Sequence, residues 1–144
     1  MSRLGFSVQT AMTTHETKIR VRYAETDQMG LLHHANYLVY FEQARTELLR
    51  SLGVTYKDLE EQGFLLVLTR AEVKYRSPAR YDDVLTVRTT VTRTTAVRIE
   101  HKYEVLRDGT LIAEGETTLA SVDRTGRIQA LPDWLQKSKP EKAK

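Results

Sequence analysis

One short segment of the chain holds most of the residue types that could carry acid–base chemistry. From Tyr23 to Arg45 the sequence reads YAETDQMGLLHHANYLVYFEQAR, and it contains Asp27 and the adjacent pair His33 and His34. The segment leads from a polar loop into the longest helical pattern of the chain. The first backbone N–H groups of a helix have no partner within the helix and carry partial positive charge, so they can stabilise an oxyanion. An acid beside such a helix start predicts an acyl-transfer site.

Taken alone, the residue type of Asp27 fits two roles equally well. Asp is common in turns and at helix caps, so Asp27 could be purely structural. In catalysis, Asp27 could be a nucleophile that forms a mixed anhydride with the substrate, or a general base that activates water. The sequence leaves both catalytic roles open.

Other kinds of site are disfavoured by the residues that the chain offers. There is no cysteine, which excludes thiolate catalysis and cysteine-ligated zinc. His33 and His34 are adjacent and point in different directions, and no further ligand stands at a metal-binding spacing. We therefore expect no metal and no cofactor. His34 is expected at the site, with a structural role in orienting the loop as the alternative, whereas His101 lies on the apolar side of its strand and is predicted to be core.

The elements on either side of the loop can be read from periodicity. Ile19, Val21 and Tyr23 alternate with basic residues, which predicts a half-buried strand over Lys18–Tyr23. Asn36 is a candidate N-cap for a helix that stops at Gly53. Its apolar stripe has four-three-four spacing, given by Tyr37, Phe41, Ala44 and Leu48.

The second half of the chain is dominated by alternating patterns. A short helix is predicted over Tyr56–Gln62, with Thr55 and Asp58 as a capping pair. Four strands follow, and Asp108-Gly109 is a strong hairpin signal. Their predicted bounds are Val67–Tyr75, Val84–Arg93, Val97–Val105 and Leu111–Val122. Because one helix cannot cover both faces of a sheet, we expect an α+β fold with a five-stranded, mostly antiparallel sheet curled around the long helix, closed by Trp134.

Composition and length bound the class of protein. The 144 residues suit a single domain over 1–144, with flexible ends at 1–16 and 137–144 and with Met12 as an alternative start to Met1. The net charge of +3 is modest, and basic residues are not interleaved with aromatic ones, so we expect no nucleic-acid partner. Neither a membrane span nor a signal peptide is recognisable, and together with the lack of cysteine this predicts a cytoplasmic enzyme.

These motifs together resemble a known family. The pattern Y-x-x-T-D-x-x-G-x-x-x-H-A-N-Y followed by E-x-A-R is similar to that of the hotdog-fold acyl-CoA thioesterases of the 4-hydroxybenzoyl-CoA thioesterase-like group. The resemblance spans about Ile19 to Pro132. The residues that carry it are Tyr23, Thr26, Asp27, Gly30, His34 to Tyr37, Glu42, Ala44 and Arg45, with Tyr75 to Ala79, Asp82-Asp83, Ala113 to Thr117 and Val122-Asp123 further along.

The resemblance implies an architecture and a site. It implies a curved antiparallel sheet around one central helix, joined edge to edge with a second subunit, and often pairs of such dimers. Active sites would lie at the dimer interface. Asp27 matches the catalytic acid, and the backbone N–H near His34 matches the group that polarises the thioester carbonyl. Tyr23 and His34 match positions around the acid, whereas His33 replaces a residue that is more often aromatic.

The expected function is hydrolysis of an acyl-CoA thioester to a free acid and CoA. Gly30, Ala35 and Tyr37 of the matched pattern are expected at the substrate. Arginines that could meet the CoA phosphates are Arg76 and Arg88, with Arg80 and Arg93 as further candidates. An acyl-carrier-protein substrate stays open, as do two other functions: a hotdog hydratase or dehydratase of enoyl or hydroxyacyl thioesters, and a non-catalytic binder of acyl-CoA or nucleic acid. Glu42 and Arg45, three apart on the helix, are predicted to pair.

Overall fold

The computed structural model describes residues 13–136, which form five strands, three helices and one short 3-10 turn. The strands are β1 (Thr14–Arg20), β2 (Leu65–Tyr75), β3 (Val84–Thr94), β4 (Arg98–Arg107) and β5 (Thr110–Val122). The helices are α1 (Asn36–Ser51), α2 (Tyr56–Glu61) and α3 (Asp133–Gln136), and the 3-10 turn is Tyr23–Glu25. No helix in this part of the chain is long and apolar enough to cross a bilayer.

All five strands lie in one antiparallel sheet. Its order is β1-β3-β4-β5-β2, so β1 and β2 are the two edge strands. The turn between β4 and β5 has positive φ at both Asp108 (50°) and Gly109 (84°), which is the two-residue hairpin geometry that the sequence predicted. The predicted five-stranded antiparallel sheet is confirmed.

Helix α1 supplies the centre of the apolar core. Its residues Tyr37, Phe41, Ala44 and Leu48 are buried, which confirms the predicted stripe. Phe41 stacks on Tyr103 of β4 with ring centroids 4.1 Å apart and an interplanar angle of 5°. Residues of β1, β3, β4 and β5, together with residues of the segments that precede α1 and β3, complete this cluster. A single long helix against a five-stranded sheet is the hotdog arrangement.

A second apolar cluster closes the fold beyond α1. Ile99 packs with Leu131 and Leu135, and Trp134 contacts the same group. The prediction that the segment around Trp134 packs back onto the sheet is confirmed.

The predicted capping pair of α2 is present, since the Asp58 N–H donates to Thr55 Oγ1 at 3.0 Å and the Thr55 N–H donates to Asp58 Oδ2 at 2.9 Å.

The first strand differs from its predicted bounds. β1 runs over Thr14–Arg20 rather than Lys18–Tyr23, and Tyr23 begins the 3-10 turn. Val21 still bonds to the β3 side, through Asp83 O at 2.9 Å, but the chain then turns away from the sheet. Thr14 to Glu16, which we expected in a flexible end, pair with β3 as part of β1, and Thr13 O of the same predicted end accepts the N–H of Val91 in β3 at 2.9 Å. The other residues of the predicted flexible ends, 1–12 and 137–144, lie outside the described residues.

Two local predictions on α1 are wrong. Asn36 is the first helical residue rather than the N-cap, because Ala35 already has helical φ and ψ of −67° and −22° and the Asn36 side chain donates instead to Glu25 O at 3.1 Å. Arg45 forms no ion pair with Glu42 or any other acid of residues 13–136. Its guanidinium turns under the helix, where Nη1 donates to the Tyr103 hydroxyl at 3.4 Å.

Candidate active site

The loop between the 3-10 turn and α1 folds back on itself as two short arms. An isolated β-bridge joins Thr26 to Leu32, and another joins Leu31 to Arg80. The N–H of Leu32 donates to Ala79 O at 2.8 Å, which fastens the loop to the chain ahead of β3. Gly30, at the tip, has φ of +80°, a value that a side chain would strain. These bonds bring Asp27 and His34 onto the same small loop.

Asp27 shapes the tip of this loop with one carboxylate oxygen. Its Oδ1 accepts the N–H of Met29 at 2.9 Å and that of Leu31 at 3.1 Å, while its own N–H donates to Leu31 O at 2.8 Å. The side chain is exposed on the single chain. Its other oxygen, Oδ2, accepts no hydrogen bond from the described residues. The carboxylate is thus oriented through one oxygen and leaves the other oxygen for a reactant.

At the start of α1 most N–H groups are already used. The N–H of Asn36 donates to His33 O at 3.0 Å, and that of Tyr37 donates to His34 O at 3.3 Å. The N–H of Ala35 is taken by the His33 ring, whose Nδ1 lies 3.1 Å away. Within residues 13–136, the N–H of His34 has no acceptor. It is therefore the N–H at this helix start that a carbonyl oxygen could use.

The two histidines occupy different roles around that N–H. Their rings stack with centroids 4.2 Å apart, and both side chains are exposed. The carbonyl of His34 accepts the Tyr75 hydroxyl of β2 at 3.2 Å. No group of three or more potential metal ligands exists in the described part of the chain. The capping role of the His33 ring was missed, because a histidine three residues before the first helical residue is not a recognisable capping signal.

The two tyrosines expected at the site differ in exposure. Tyr37 is 3% exposed and packs edge-on against Tyr75 at 5.3 Å, so it lies in the core directly beneath the helix start. Burial raises the pKa of Tyr37 to about 12, which keeps its hydroxyl neutral. Tyr23 is 77% exposed and stands edge-on to Tyr81 at 5.6 Å.

A buried acid that the sequence did not single out lies beneath the loop. Glu25 is 7% exposed, and its carboxylate accepts the Tyr40 hydroxyl at 2.6 Å and three hydrogen bonds from Arg22. Burial raises the pKa of Glu25, but the bonds from Tyr40 and Arg22 outweigh it and hold the pKa below its usual value. A glutamate in a polar loop carries no burial signal, and its partner on α1 is distant in sequence. Pattern alone could not have found it.

The arginines expected to meet CoA are mostly engaged with acids. Arg76 donates from Nε to Glu114 at 2.9 Å, and Arg88 lies between Glu16 at 3.0 Å and Glu104 at 3.1 Å. Arg93 stands 3.9 Å from Glu100. The side chain of Arg80 has no hydrogen-bond or ion-pair partner among residues 13–136, and the β-bridge from its backbone to Leu31 places it beside the Asp27 loop.

Comparison with known proteins identifies what this arrangement is similar to. The sequence model of the thioesterase-like superfamily matches residues 21–138. The acyl-CoA thioesterase YbgC of Haemophilus influenzae is 36% identical over 106 residues, which cover 73% of this chain and 78% of YbgC. The crystal structure of a hypothetical protein from Aquifex aeolicus has a TM-score of 0.82 and 32% identity, covering 86% of this chain and 98% of that one. The DHNA-CoA thioesterase of Staphylococcus aureus has a TM-score of 0.81 and 34% identity, covering 85% and 87%.

Proposed function

The chain belongs to the thioesterase-like superfamily, and on that basis we propose that it hydrolyses an acyl-CoA thioester to a free acid and CoA, with Asp27 and the N–H of His34 at the reacting carbonyl. The observation that carries the proposal is the pairing, on one loop, of a carboxylate with a free oxygen and a helix-start N–H with no acceptor among residues 13–136. The acyl-CoA thioesterase named among the relatives supports the substrate class.

The proposed chemistry uses the two groups in complementary ways. The thioester oxygen accepts the His34 N–H, which stabilises the negative charge that develops as the carbonyl carbon is attacked. One such contact contributes on the order of 3 kcal/mol to the transition state. Asp27 Oδ2 either attacks the carbon, expels the CoA thiolate and leaves a mixed anhydride for water to cleave, or takes a proton from the water that attacks. Both routes yield the same acid and CoA.

We propose that a second subunit completes the site. The edge strand β2 exposes apolar side chains, with Val67 at 41%, Leu68 at 48% and Tyr75 at 51% exposure, and an unprotected apolar edge favours pairing with another strand. In the proposed dimer, which pairs of dimers could extend, the Asp27 loop and the helix start of one subunit face the second subunit. Exposure of Asp27 and Tyr23 on the single chain supports this arrangement.

Further residues are proposed to contact the substrate. Gly30 lies at the tip of the Asp27 loop, and Ala35 and Tyr37 lie at the helix start, where the acyl group would enter. Arg76 and Arg88 are proposed to meet CoA phosphates, although each would have to exchange a carboxylate partner for a phosphate. The side chain of Arg80 has no carboxylate partner to exchange among residues 13–136, so Arg80 is the better candidate for binding a CoA phosphate. We propose the cytoplasm as the compartment, where acyl-CoA substrates are formed.

The Asp27→Asn variant tests the proposed chemistry. We expect thiol release from acyl-CoA to fall by at least about 100-fold, because an amide can neither attack nor take the proton. The assay would follow free thiol across short, long and aromatic acyl-CoAs. Asp82→Asn is the matched control, since Asp82 is an exposed acid at positive φ, where Asn is well tolerated, and it should keep full activity.

Three results would contradict the proposal. The first is near-normal turnover by a folded Asp27→Asn protein, which would remove Asp27 from the chemistry. The second is loss of enoyl absorbance from crotonyl-CoA without thiol release by the wild type, which would identify a hydratase. Saturable binding of acyl-CoA with no thiol release across the whole panel would equally reject a hydrolase.

A further inference from the structure

The carboxylate of Glu25 gathers hydrogen bonds from two different parts of the chain. Oε1 accepts the backbone N–H of Arg22 at 2.9 Å and the hydroxyl of Tyr40, on α1, at 2.6 Å. Oε2 accepts Nε and Nη2 of Arg22 at 3.1 and 3.0 Å. Four donors therefore converge on two oxygens of a side chain that is almost fully buried.

The backbone carbonyl of the same residue holds the other end of the loop. Glu25 O accepts the N–H of His33 at 2.8 Å and Nδ2 of Asn36 at 3.1 Å. His33 immediately precedes His34, whose N–H has no acceptor in the described part of the chain, and Asn36 is the first residue of α1. Asp27 is two residues after Glu25. Glu25 is therefore bonded on one side to the chain that leads to Asp27 and on the other to the start of the helix.

We propose that Glu25, together with Tyr40, is a positioning residue that fixes the separation between the Asp27 carboxylate and the His34 N–H. The inference rests on the proposed function, because it assigns Glu25 a role only through those two groups. Glu25 itself is buried and does not touch the substrate. Among the bonds to the carboxylate, the one from Tyr40 connects the loop to the helix, since Arg22 lies on the loop side.

The carboxylate is required because each of its oxygens faces an N–H group of Arg22, which can only donate. A glutamine at position 25 would present one acceptor oxygen and one N–H2 group, and the N–H2 group would meet either the Arg22 backbone N–H or the Arg22 guanidinium in place of an acceptor. Arg22 is about three-quarters exposed, so its ion pair with Glu25 adds little to stability. The contribution of the network is mainly geometric.

Steady-state kinetics of Glu25→Gln and Tyr40→Phe provide the first test. A displacement of about 1 Å at a reacting group can cost about 100-fold in rate, so we expect kcat to fall by about 10- to 100-fold while KM stays within about 3-fold. A CoA thioether, which cannot be hydrolysed, should still bind at full stoichiometry. Glu47→Gln, which removes a half-exposed acid near the other end of α1, is the control and should keep wild-type kinetics.

The double variant separates a shared role from two independent defects. Because Glu25 and Tyr40 act through one hydrogen bond, the combined loss in kcat should be clearly smaller than the product of the single losses. If Glu25→Gln fails to fold, Tyr40→Phe alone still tests the proposal, since it removes only the hydroxyl of a well-packed ring.

An infrared measurement reports the contact between the substrate carbonyl and the His34 N–H directly. Acyl-CoA labelled with 13C at the carbonyl would be bound to the Asp27→Asn variant, which should not hydrolyse it. Contact with the His34 N–H should lower the carbonyl stretching frequency, and adding Glu25→Gln should move the frequency back toward its value in solution.

The possible results are distinguishable. A kcat within about 2-fold of wild type in folded Glu25→Gln and Tyr40→Phe would overturn the proposal, and so would a loss of kcat that merely follows a loss of thioether binding sites. An active Asp27→Asn protein would reject the proposed chemistry instead. Inactive Asp27→Asn with fully active Glu25→Gln would leave the chemistry standing and remove Glu25 from it.

Discussion

The most unusual single residue outside the loop is His101 on β4. It is 4% exposed, its ring packs 6.0 Å from Tyr103, and its Nδ1 has no hydrogen-bond partner among the described residues. Burial lowers the pKa of His101 to about 3, and the nearby positive charge of Arg45 acts in the same direction. The folded protein therefore keeps this histidine neutral at any pH near neutrality.

The neutral His101 makes folding stability depend on pH. Its pKa is lower in the folded chain, about 3, than its ordinary value of 6.5, so between these values the unfolded chain binds a proton that the folded chain does not. The contribution of neutral His101 to the free energy of unfolding is fully present above the unfolded pKa of 6.5. It decreases as pH falls below that value, by up to about 1.4 kcal/mol per pH unit for one proton. Urea unfolding at pH 7.5, 6.5 and 5.5 measures the free energy of unfolding.

The control for this prediction is His101→Phe, which keeps an aromatic ring and removes the titrating group. Its free energy of unfolding should change less between pH 6.5 and 5.5 than that of the wild type. The other three histidines are present in both proteins and cancel in the comparison. Equal slopes in both proteins would show that His101 is not the group responsible.

At the scale of elements, the approach of α1 to the sheet depends on a residue without a side chain. A Cβ at Gly115 of β5 would lie 2.6 Å from Glu72 O and would overlap the ring of Phe41. Phe41 in turn stacks on Tyr103 of β4. Helix α1, which carries the proposed site, can therefore pack its Phe41 ring against β4 and β5 only because residue 115 has no Cβ.

Gly115→Ala should therefore destabilise the protein by about 1–3 kcal/mol, the usual cost of forcing an extra methyl group into a packed core. Thermal unfolding would measure the change. Glu116→Ala, on the adjacent exposed position of the same strand, is the control and should change stability by no more than about 0.5 kcal/mol. A Gly115→Ala protein as stable as the control would show that the helix and sheet can separate at this point without cost.

The elements that periodicity predicted well are those with one solvent-exposed face and one buried face. The stripe from Tyr37 to Leu48 and the alternation of β4 are patterns that burial imposes over many residues, so they are visible in sequence. The start of β1 was missed because Thr14 to Thr17 lie on an edge strand where few side chains are buried. The network of Glu25 was missed for a different reason, since its partners are joined by the tertiary fold and not by spacing.

At the scale of the whole molecule, the proposed site is an open surface in a single chain. Asp27 is exposed, whereas acyl transfer is favoured by a site from which water is excluded. The edge strand β2 runs beside the helix start, because Tyr75 bonds to His34 O. A second subunit paired along β2 would therefore cover the site as well as the exposed Val67 and Leu68. Assembly and catalysis should be lost together.

Leu68→Lys tests this link between assembly and activity. A lysine on an exposed edge strand disfavours pairing with another strand, so the variant should shift toward monomer and lose thiol-release activity in proportion. Light scattering coupled to size-exclusion chromatography would measure the mass, and the thiol assay would be run over a range of protein concentrations. Ile128→Lys is the matched control, because Ile128 is 59% exposed but is not part of the edge strand β2 and instead bridges Val122 at the end of β5. A monomeric Leu68→Lys protein with full activity would show that one chain alone forms the whole site, and an unchanged mass would show that subunits do not meet at β2.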